Sequence, residues 1–289
     1  MILITGANGG VGREVVREVA RSVADFRAMY RGKEDAAKAP SGTRTVVADF
    51  ADRATLDRAL EGIDRVYAVC SPIPQLVELE SNFLDACVAA GVKHVVLNSA
   101  LGAADYPKSF PSWHRKVEDK LKSSGLSFTI LRPNSFHQNI VSYVAPSVRS
   151  QGVFYSSLGS SRMSYLDVRD IASVVARALI EPGHERETYE LNGPEALTQT
   201  ELAEKISRHA GRPVKYIDIP VEAQRKAMLD LGMPEWQASA LLDLQAYYTS
   251  GRGGETDSVL QTLLKRPPIT VDDFLAEVRE AFRDQAANA

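Results

Sequence analysis

Three glycines at intervals of three residues stand near the start of the chain, in the segment TGANGGVG. Gly6, Gly9 and Gly12 follow an apolar run at 2–5 and precede valines at helical spacing, so they connect a predicted strand to a predicted helix. Glycine permits a tight turn there and lets backbone amides approach a pyrophosphate. A plain glycine turn is the alternative. We predict a dinucleotide site that contains Thr5, Gly6, Asn8, Gly9, Gly10, Val11 and Gly12.

The end of the second predicted strand, at 26–31, distinguishes two dinucleotides. An acidic residue there commonly accepts a hydrogen bond from the ribose 2'-hydroxyl of NAD. This chain has Arg31 instead, followed by Lys33, whereas Asp25 precedes the strand and is expected at its other end. Because arginine can bind a 2'-phosphate through two hydrogen bonds, we predict that NADP(H) is preferred to NAD(H). The alternative for Arg31 is an ordinary solvated side chain.

The elements that must position these residues alternate regularly over the first half of the chain. Apolar strands are predicted at 2–5, 26–31, 45–48, 65–70, 94–98 and 127–132, with helices between them. This alternation predicts an α/β protein with a Rossmann-type, doubly wound parallel sheet. Prolines, glycines and serines end the regularity after residue 132. We therefore expect an NADP-binding domain at 1–150, to which about 162–182 returns, and a smaller mixed α/β substrate domain at 151–289.

Composition excludes several classes of function. The 289 residues include 34 Lys and Arg against 37 Asp and Glu, and this slightly negative balance predicts no nucleic-acid partner. No apolar run or leader pattern indicates a membrane segment or export, so a cytoplasmic protein is expected. Cys70 and Cys87 lie in apolar stretches and are predicted to be buried thiols, and the five histidines form no metal motif. We expect a small-molecule partner, no metal, and a monomer or homodimer.

Several segments together resemble the NmrA-like family of atypical short-chain dehydrogenases/reductases. Besides TGANGGVG and Arg31, the resemblance rests on HVVLNSA at 94–100, HRKVEDKLKSSGLSFTILRPNSFHQN at 114–139 and YLDVRDIASVVARAL at 165–179. YELNGPEALTQTELAEKIS at 189–207 and PPITVDDFLAEV at 267–278 extend it to nearly the whole chain. Within the family, the chain is most similar to the bacterial quinone-reductase and triphenylmethane-dye-reductase branch.

Short-chain dehydrogenases normally carry a YxxxK pair and a serine on strand five, and the lysine lowers the pKa of the tyrosine that donates a proton. The resemblance implies that Ser99 and Lys116 take the serine and lysine positions. The tyrosine is missing, because Ser112 stands four residues before Lys116. Reduction of a simple ketone needs a positioned proton donor, whereas a quinone or a cationic dye needs much less. If a donor is required, His114, Lys116 and Tyr165 are the candidates; a structural helix-start role is the alternative for His114.

Further ligand contacts are expected from the segments that follow the other strands, because doubly wound sheets bind ligands at their carboxyl edge. Asp49 is placed to accept from the adenine amino group, or to cap the next helix. The other expected cofactor contacts are Phe50, Ser71, Pro72, Ile73, Asn98, Ser99, Lys116, Pro133 and Asn134. The expected substrate contacts are Trp113, Phe136 and Asn139. Core packing is the alternative for Phe136, and loop capping for the two asparagines.

The sequence and the resemblance together predict NADPH-dependent hydride transfer to a conjugated, electron-poor organic acceptor of the quinone or polycyclic aromatic type. One alternative is an NADP-binding redox sensor without turnover, which the missing tyrosine favours and the presence of Ser99 and Lys116 disfavours. A sugar epimerase or dehydratase with tightly bound NAD shares the fold. The absent YxxxK pair and Arg31 both count against that third reading.

Overall fold

The computed structural model describes residues 1–22 and 25–283, so the last six residues of the predicted substrate domain lie outside the described residues. The chain forms two compact units. Unit 1 comprises Met1–Pro133 and Val168–Glu190, and unit 2 comprises Asn134–Asp167 and Leu191–Ala289. No helix in the described part of the chain is long and apolar enough to cross a membrane.

Unit 1 is built on a seven-stranded sheet. Its strands are β1 (Ile2–Ile4), β2 (Phe26–Tyr30), β3 (Arg44–Val47), β4 (Arg65–Ala68), β5 (His94–Asn98), β6 (Ser127–Pro133) and β10 (Glu187–Leu191). They lie in the order β10-β6-β5-β4-β1-β2-β3, and the pairings from β6 to β3 are all parallel. The predicted Rossmann-type parallel sheet is confirmed.

Helices cover both faces of this sheet. They are α1 (Gly10–Ser22), α2 (Lys33–Ala36), α3 (Arg53–Leu60), α4 (Leu76–Ala90), α5 (Ser109–Ser123) and α8 (Val168–Ile180). α1 packs against α8, while α3, α4 and α5 pack side by side. Because strand side chains alternate between faces, Leu3, Val66 and Val95 join one buried cluster with Leu56 of α3 and Phe83 of α4.

α1 illustrates how the sequence specifies these elements. Val11, Val15, Val16 and Val19 recur at helical spacing, and all four are buried. Each fully buried valine contributes roughly 1.5–3 kcal/mol relative to an exposed one. The apolar stripe that identifies the helix in the sequence therefore also fixes it beside β1, directly after the glycine segment.

Unit 2 contains two small sheets. Its strands are β7 (Ser135–Phe136), β8 (Val153–Ser156), β9 (Met163–Leu166), β11 (Ala196–Leu197) and β12 (Lys215–Asp218). β9 pairs with β7 in parallel and with β11 antiparallel, and β12 pairs with β8 in parallel. The small mixed region expected in the carboxyl-terminal part is present.

The helices of unit 2 complete this region. They are α6 (His137–Asn139), α7 (Ala145–Gln151), α9 (Gln199–Ala210), α10 (Val221–Asp230), α11 (Glu235–Tyr247), α12 (Val259–Leu264) and α13 (Val271–Val278). Shorter helical turns span Ile140–Val144, Tyr248–Arg252 and Arg279–Phe282. Thr198 and Thr270 start α9 and α13 as capping boxes with Glu201 and Asp273, which satisfies backbone amides that no helical carbonyl reaches.

One helix begins earlier than its sequence pattern indicates, and another forms where the sequence predicts none. α5 begins at Ser109 rather than near Trp113, with Pro111 inside its first turn. α7 lies in a stretch that reads as irregular and carries Pro146 at its start. Proline is tolerated in a first helical turn, because the amide that it lacks has no helical partner there. A proline that reads as a breaker in the sequence therefore lies inside the first turn of each helix.

Candidate dinucleotide site and hydride-transfer residues

The glycine segment forms a tight turn between β1 and α1. The backbone N–H of Gly9 donates to the carbonyl oxygen of Gly6 at 2.8 Å, and Gly6 has a positive φ of 58°. A Cβ at Gly6 would lie 2.6 Å from Val69 Cγ1, and a Cβ at Gly12 would overlap the carbonyl of Gly6. A Cβ at Gly10 would meet nothing within 4 Å. The turn is thus closed by backbone on one side and open on the other, an arrangement that fits the phosphates of a dinucleotide.

Thr5 joins the ends of two strands at this turn. Its hydroxyl donates to the carbonyl oxygen of Val69 at 3.3 Å and accepts from the Val69 N–H at 3.0 Å. Thr5 and Val11 are buried, whereas Asn8, Gly9 and Gly10 are exposed. The exposed part of the turn is therefore available to a ligand, while Thr5 and Val11 support it from beneath.

Charged side chains cluster after β2. Arg31 and Lys33 are exposed and Asp35 is half-buried; we call these three residues the outer charges. Asn8 Nδ2 donates to Asp35 Oδ2 at 2.8 Å, which links the glycine turn to α2. Lys38 Nζ lies 3.7 Å from Asp35 Oδ1. Asp35 was not among the predicted site residues, although its position four residues after Arg31 placed it in the right segment.

Asp49 and Phe50 follow β3. Asp49 Oδ1 accepts from the Ala51 N–H at 2.9 Å, so the carboxylate already stabilises its own loop. Phe50 is buried and stacks on Phe83 with ring centroids 4.4 Å apart. The structure thus gives both residues a local structural role beside the cofactor roles expected for them.

The ends of β5 and β6 hold a buried ionic cluster, which we define as Ser99, Glu118 and Arg132. Ser99 Oγ donates to Glu118 Oε1 at 2.7 Å, and Arg132 donates to both Glu118 oxygens at 2.9 and 2.6 Å. Burial alone would raise the pKa of Glu118, but the hydrogen bonds from Arg132 and Ser99 outweigh it and lower that pKa. Ser99, predicted as catalytic, therefore donates its proton to a carboxylate inside unit 1.

His114 and Lys116 project differently from α5, because two residues correspond to more than half a helical turn. His114 is buried, and its Nδ1 has no hydrogen-bond partner among the described residues. Burial lowers the pKa of His114 to about 4, against the smaller opposite effect of Glu118, so the ring is neutral at neutral pH. Lys116 is exposed. Of the two predicted proton donors in unit 1, only Lys116 is exposed to solvent or to a ligand.

A second buried carboxyl group lies on the helix that follows β4. Glu80, on α4, is 1% exposed, and neither of its oxygens forms a hydrogen bond of ordinary length with the described residues. Burial raises the pKa of Glu80 to about 8, and burial together with Glu80 raises the pKa of Cys70 to about 12. Nearby, the Tyr67 hydroxyl donates to Asn98 Oδ1 at 3.2 Å. Asn98, a predicted cofactor contact, is thus bonded to a buried tyrosine.

The loop after β4 remains accessible. Ser71 and Pro72 are exposed and Ile73 is half-buried, and the Ile73 N–H donates to the Ser71 carbonyl at 2.8 Å. Trp113, also in unit 1, is half-buried and meets Phe110 edge-on with ring centroids 5.2 Å apart. These residues keep exposed surface with which to contact a ligand. Pro133, in contrast, is buried, and its carbonyl accepts from the Leu101 N–H at 3.1 Å.

Unit 2 holds the remaining predicted residues. Tyr165 is buried, burial raises its pKa to about 12, and its hydroxyl accepts from Gln199 Nε2 at 2.9 Å. Asn134 Nδ2 donates to Asn192 Oδ1 and to the Gly253 carbonyl, both at 3.0 Å, and its Oδ1 accepts from the Ser135 N–H. Both side chains are therefore engaged within unit 2. Phe136 and Asn139 are half-buried.

Sequence reasoning missed the buried carboxylates. Glu118 shares the buried stripe of α5 with His114, Val117 and Leu121, and Glu80 shares that of α4 with Leu76 and Phe83. A carboxylate at an apolar position of a helical repeat is the signal that could have identified both. In the described ranges 1–22 and 25–283, no group of three or more His, Cys, Asp or Glu side chains could hold a metal ion.

Comparison with known proteins identifies the family of this chain. The model of the NmrA-like family matches residues 1–275. An NAD(P)H azoreductase of Xenophilus azovorans is 37% identical over 98% of this chain and 99% of its own. A (4-alkanoyl-5-oxo-2,5-dihydrofuran-3-yl)methyl phosphate reductase of Streptomyces griseus is 34% identical over 98% of this chain and 99% of its own.

A solved structure matches over the same extent. The NADPH-dependent quinone oxidoreductase of Escherichia coli, complexed with NADPH, superposes with a TM-score of 0.90 at 29% identity and covers 96% of this chain and 99% of that chain. The glycine turn, the parallel sheet and the match across residues 1–275 lead to one assignment: this chain belongs to the NmrA-like family.

Proposed function

We propose that this chain is an NADPH-dependent reductase that transfers hydride to a conjugated, electron-poor organic acceptor of the quinone or polycyclic aromatic type. The observation that carries the proposal is a glycine turn fit for a dinucleotide in a unit that has no tyrosine four residues before Lys116. Ser112 stands where a catalytic tyrosine would be expected, and His114 is neutral at neutral pH because burial lowers its pKa to about 4. Acceptors that need little help from a proton donor fit this site best.

The dinucleotide, when bound, supplies the hydride. The backbone amide of the exposed Gly10, at the start of α1, would hold its pyrophosphate, and Arg31 with Lys33 would hold a 2'-phosphate. The Thr5–Val69 hydrogen bonds keep the ends of β1 and β4 in register beneath the turn. The protein's contribution is then mainly orientation and proximity, which can supply a large part of the rate enhancement when reacting atoms are held close together.

The relatives support the acceptor class by their chemistry. Azo compounds, quinones and acylated dihydrofuranones all contain a conjugated, electron-poor double bond. Hydride added to such a system leaves a negative charge that the conjugation delocalises, so a weak or solvent-derived acid suffices to complete the reaction. We propose the same requirement for this chain, with Lys116 as the exposed residue able to assist protonation.

The test is to follow oxidation of NADPH and NADH in the presence of a quinone, an azo dye, a triarylmethane dye and a simple aliphatic ketone. We expect oxidation of NADPH with the conjugated acceptors and none with the ketone. Lys116→Ala is expected to lower kcat, with Lys120→Ala as the matched control on the same helix, where Lys120 pairs with Asp85. Tight NADPH binding without oxidation by any acceptor would favour the redox-sensor alternative and overturn the reductase.

A further inference from the structure

Asp35 brings a carboxylate to the glycine turn. Its Oδ2 accepts from Asn8 Nδ2 at 2.8 Å, and Asn8 belongs to the exposed part of the turn. Its Oδ1 lies 3.7 Å from Lys38 Nζ, in a pair whose side chains are 42% and 75% exposed. A surface ion pair at this distance contributes little free energy, so Lys38 can move away from Asp35 at little cost when a ligand binds.

The charge of Asp35 also reaches the end of β2. Burial and then the Asp35 carboxylate raise the pKa of Tyr30, the last residue of that strand. Arg31 follows Tyr30 directly, and Lys33 begins α2. The segment that follows β2 therefore presents two exposed cations and two carboxylates within five residues, and of the carboxylates it is Asp35, not the exposed Glu34, that Asn8 ties to the turn.

This arrangement has opposite consequences for the two dinucleotides. A phosphomonoester carries a charge of about −1.5 to −2 at pH 7, so a nearby carboxylate weakens its binding by repulsion. A ribose 2'-hydroxyl is neutral and can donate a hydrogen bond to a carboxylate. Arg31 and Lys33 favour the phosphate, and Asp35 favours the hydroxyl.

We propose that Asp35 is a specificity-determining residue that limits the preference of this site for NADP(H) over NAD(H). The proposal rests on the proposed function, because it requires the dinucleotide to bind along the glycine turn and the end of β2. The hydrogen bond from Asn8 holds the Asp35 carboxylate at the exposed part of the glycine turn, in the same five-residue segment as Arg31 and Lys33. The chain thereby retains affinity for both dinucleotides.

The experiment measures dissociation constants of NADP⁺ and NAD⁺ by calorimetry, without any acceptor present. For Asp35→Asn, we expect NADP⁺ to bind about 3- to 10-fold more tightly, while NAD⁺ binding stays the same or weakens, since one unit charge a few ångströms away has an effect of this size in partly exposed surroundings. Added salt should shrink the gain, because it screens exposed charges. Glu34→Gln is the matched control: it removes the same charge from the adjacent, exposed residue and should change either constant less than twofold.

The outcomes separate the two proposals. If Asp35→Asn leaves the ratio of the two dissociation constants unchanged, the specificity role is overturned. If both constants change by the same factor, Asp35 only supports the turn. Asp35→Glu, which keeps the charge, should restore most of the wild-type ratio, and thermal melting confirms that each variant folds. If the wild-type chain binds neither dinucleotide, the proposed function itself fails.

Discussion

Two groups of charged residues follow strands of the sheet in unit 1, and they differ in exposure. After β2, the outer charges Arg31, Lys33 and Asp35 remain at least partly exposed. After β5 and β6, the buried ionic cluster of Ser99, Glu118 and Arg132 is closed by hydrogen bonds of 2.6 to 2.9 Å. The first set can exchange water for a ligand at little cost, whereas the second is committed to the fold.

Residue type alone therefore indicates chemistry only in part. Ser99 has the type and strand position of a catalytic serine, yet its proton is directed at Glu118. Arg31 has the type of a phosphate-binding residue, and nothing in its exposure opposes that role. The partners of a polar residue decide which of its possible functions remain open.

The largest effect is expected from breaking the buried ionic cluster. Among the described residues, Glu118→Ala leaves the Arg132 guanidinium with only Glu190, at 3.3 Å, as an ionic partner, and it should lower the free energy of unfolding of unit 1 by about 3–5 kcal/mol. Urea unfolding followed by Trp113 fluorescence in a Trp236→Phe background measures it. Asp119→Ala, at the next position, removes an exposed pair with Arg115 and should cost less than about 0.5 kcal/mol. Equal losses in the two variants would contradict the distinction.

A smaller effect is expected at the glycine turn. In Gly12→Ala the new methyl group would overlap the Gly6 carbonyl, so the turn must shift, at a cost of about 1–3 kcal/mol and with loss of NADP⁺ binding. Gly10→Ala places its methyl group in open space and should fold normally. Calorimetric titration of both variants gives the binding comparison, and urea unfolding gives the stabilities. Normal NADP⁺ binding by Gly12→Ala would mean that the dinucleotide does not use this turn.

Among the outer charges, Arg31→Ala tests phosphate recognition. We expect NADP⁺ to bind about 10-fold more weakly, equivalent to about 1.4 kcal/mol, because a charge-assisted contact is lost, while NAD⁺ binding changes little. Since Arg31 is exposed, the free energy of unfolding should change by less than about 0.5 kcal/mol. Arg58→Ala, on α3, is a control for loss of one positive charge from this unit. A parallel loss of NAD⁺ affinity in Arg31→Ala would contradict a role specific to the 2'-phosphate.

Glu80 can be compared with Glu118, because both carboxyl groups are buried but Glu80 does not have the hydrogen-bond partners that Glu118 has. Its pKa is raised to about 8 by burial, so the folded protein holds this proton more tightly than the unfolded chain. The stabilisation of the folded state by this proton is therefore fully present below the pKa of the Glu80 carboxyl group in the unfolded chain, near 4.3. It is lost as the pH rises through the pKa of that group in the folded protein. Relative to Glu80→Gln, the wild-type unfolding free energy should fall by about 1 kcal/mol between pH 7 and pH 8.

Urea unfolding of the two proteins at both pH values measures the Glu80 effect. Taking the difference between wild type and Glu80→Gln cancels the contributions of His94 and His114, whose pKa values burial lowers. Parallel pH profiles for the two proteins would show that Glu80 is charged in the folded state.

Much of unit 1 was predictable because its elements obey local rules. β5 spans 94–98, as its apolar centre predicts, and the glycine turn lies where a strand meets a valine stripe. The segment after Pro133 was not predictable, because β7, α6 and β11 have only two or three residues each and depend on pairing with distant strands. Lys116 is exposed and Glu118 is buried because of the face of α5 that packs inward. The sequence motif of the family does not indicate that face.

The order of the strands in unit 1 bears on how the chain folds while it is being synthesised. β6 ends at Pro133, but its outer neighbour β10 spans Glu187–Leu191, and α8, which packs on α1, begins only at Val168. The 57 residues from Pro133 to Glu190 take about 3–11 s to translate at roughly 5–20 residues per second. The α1 surface that α8 covers stays open until α8 has been made, and the β6 edge stays open until β10 has been made; this unpaired strand edge is prone to association with other chains.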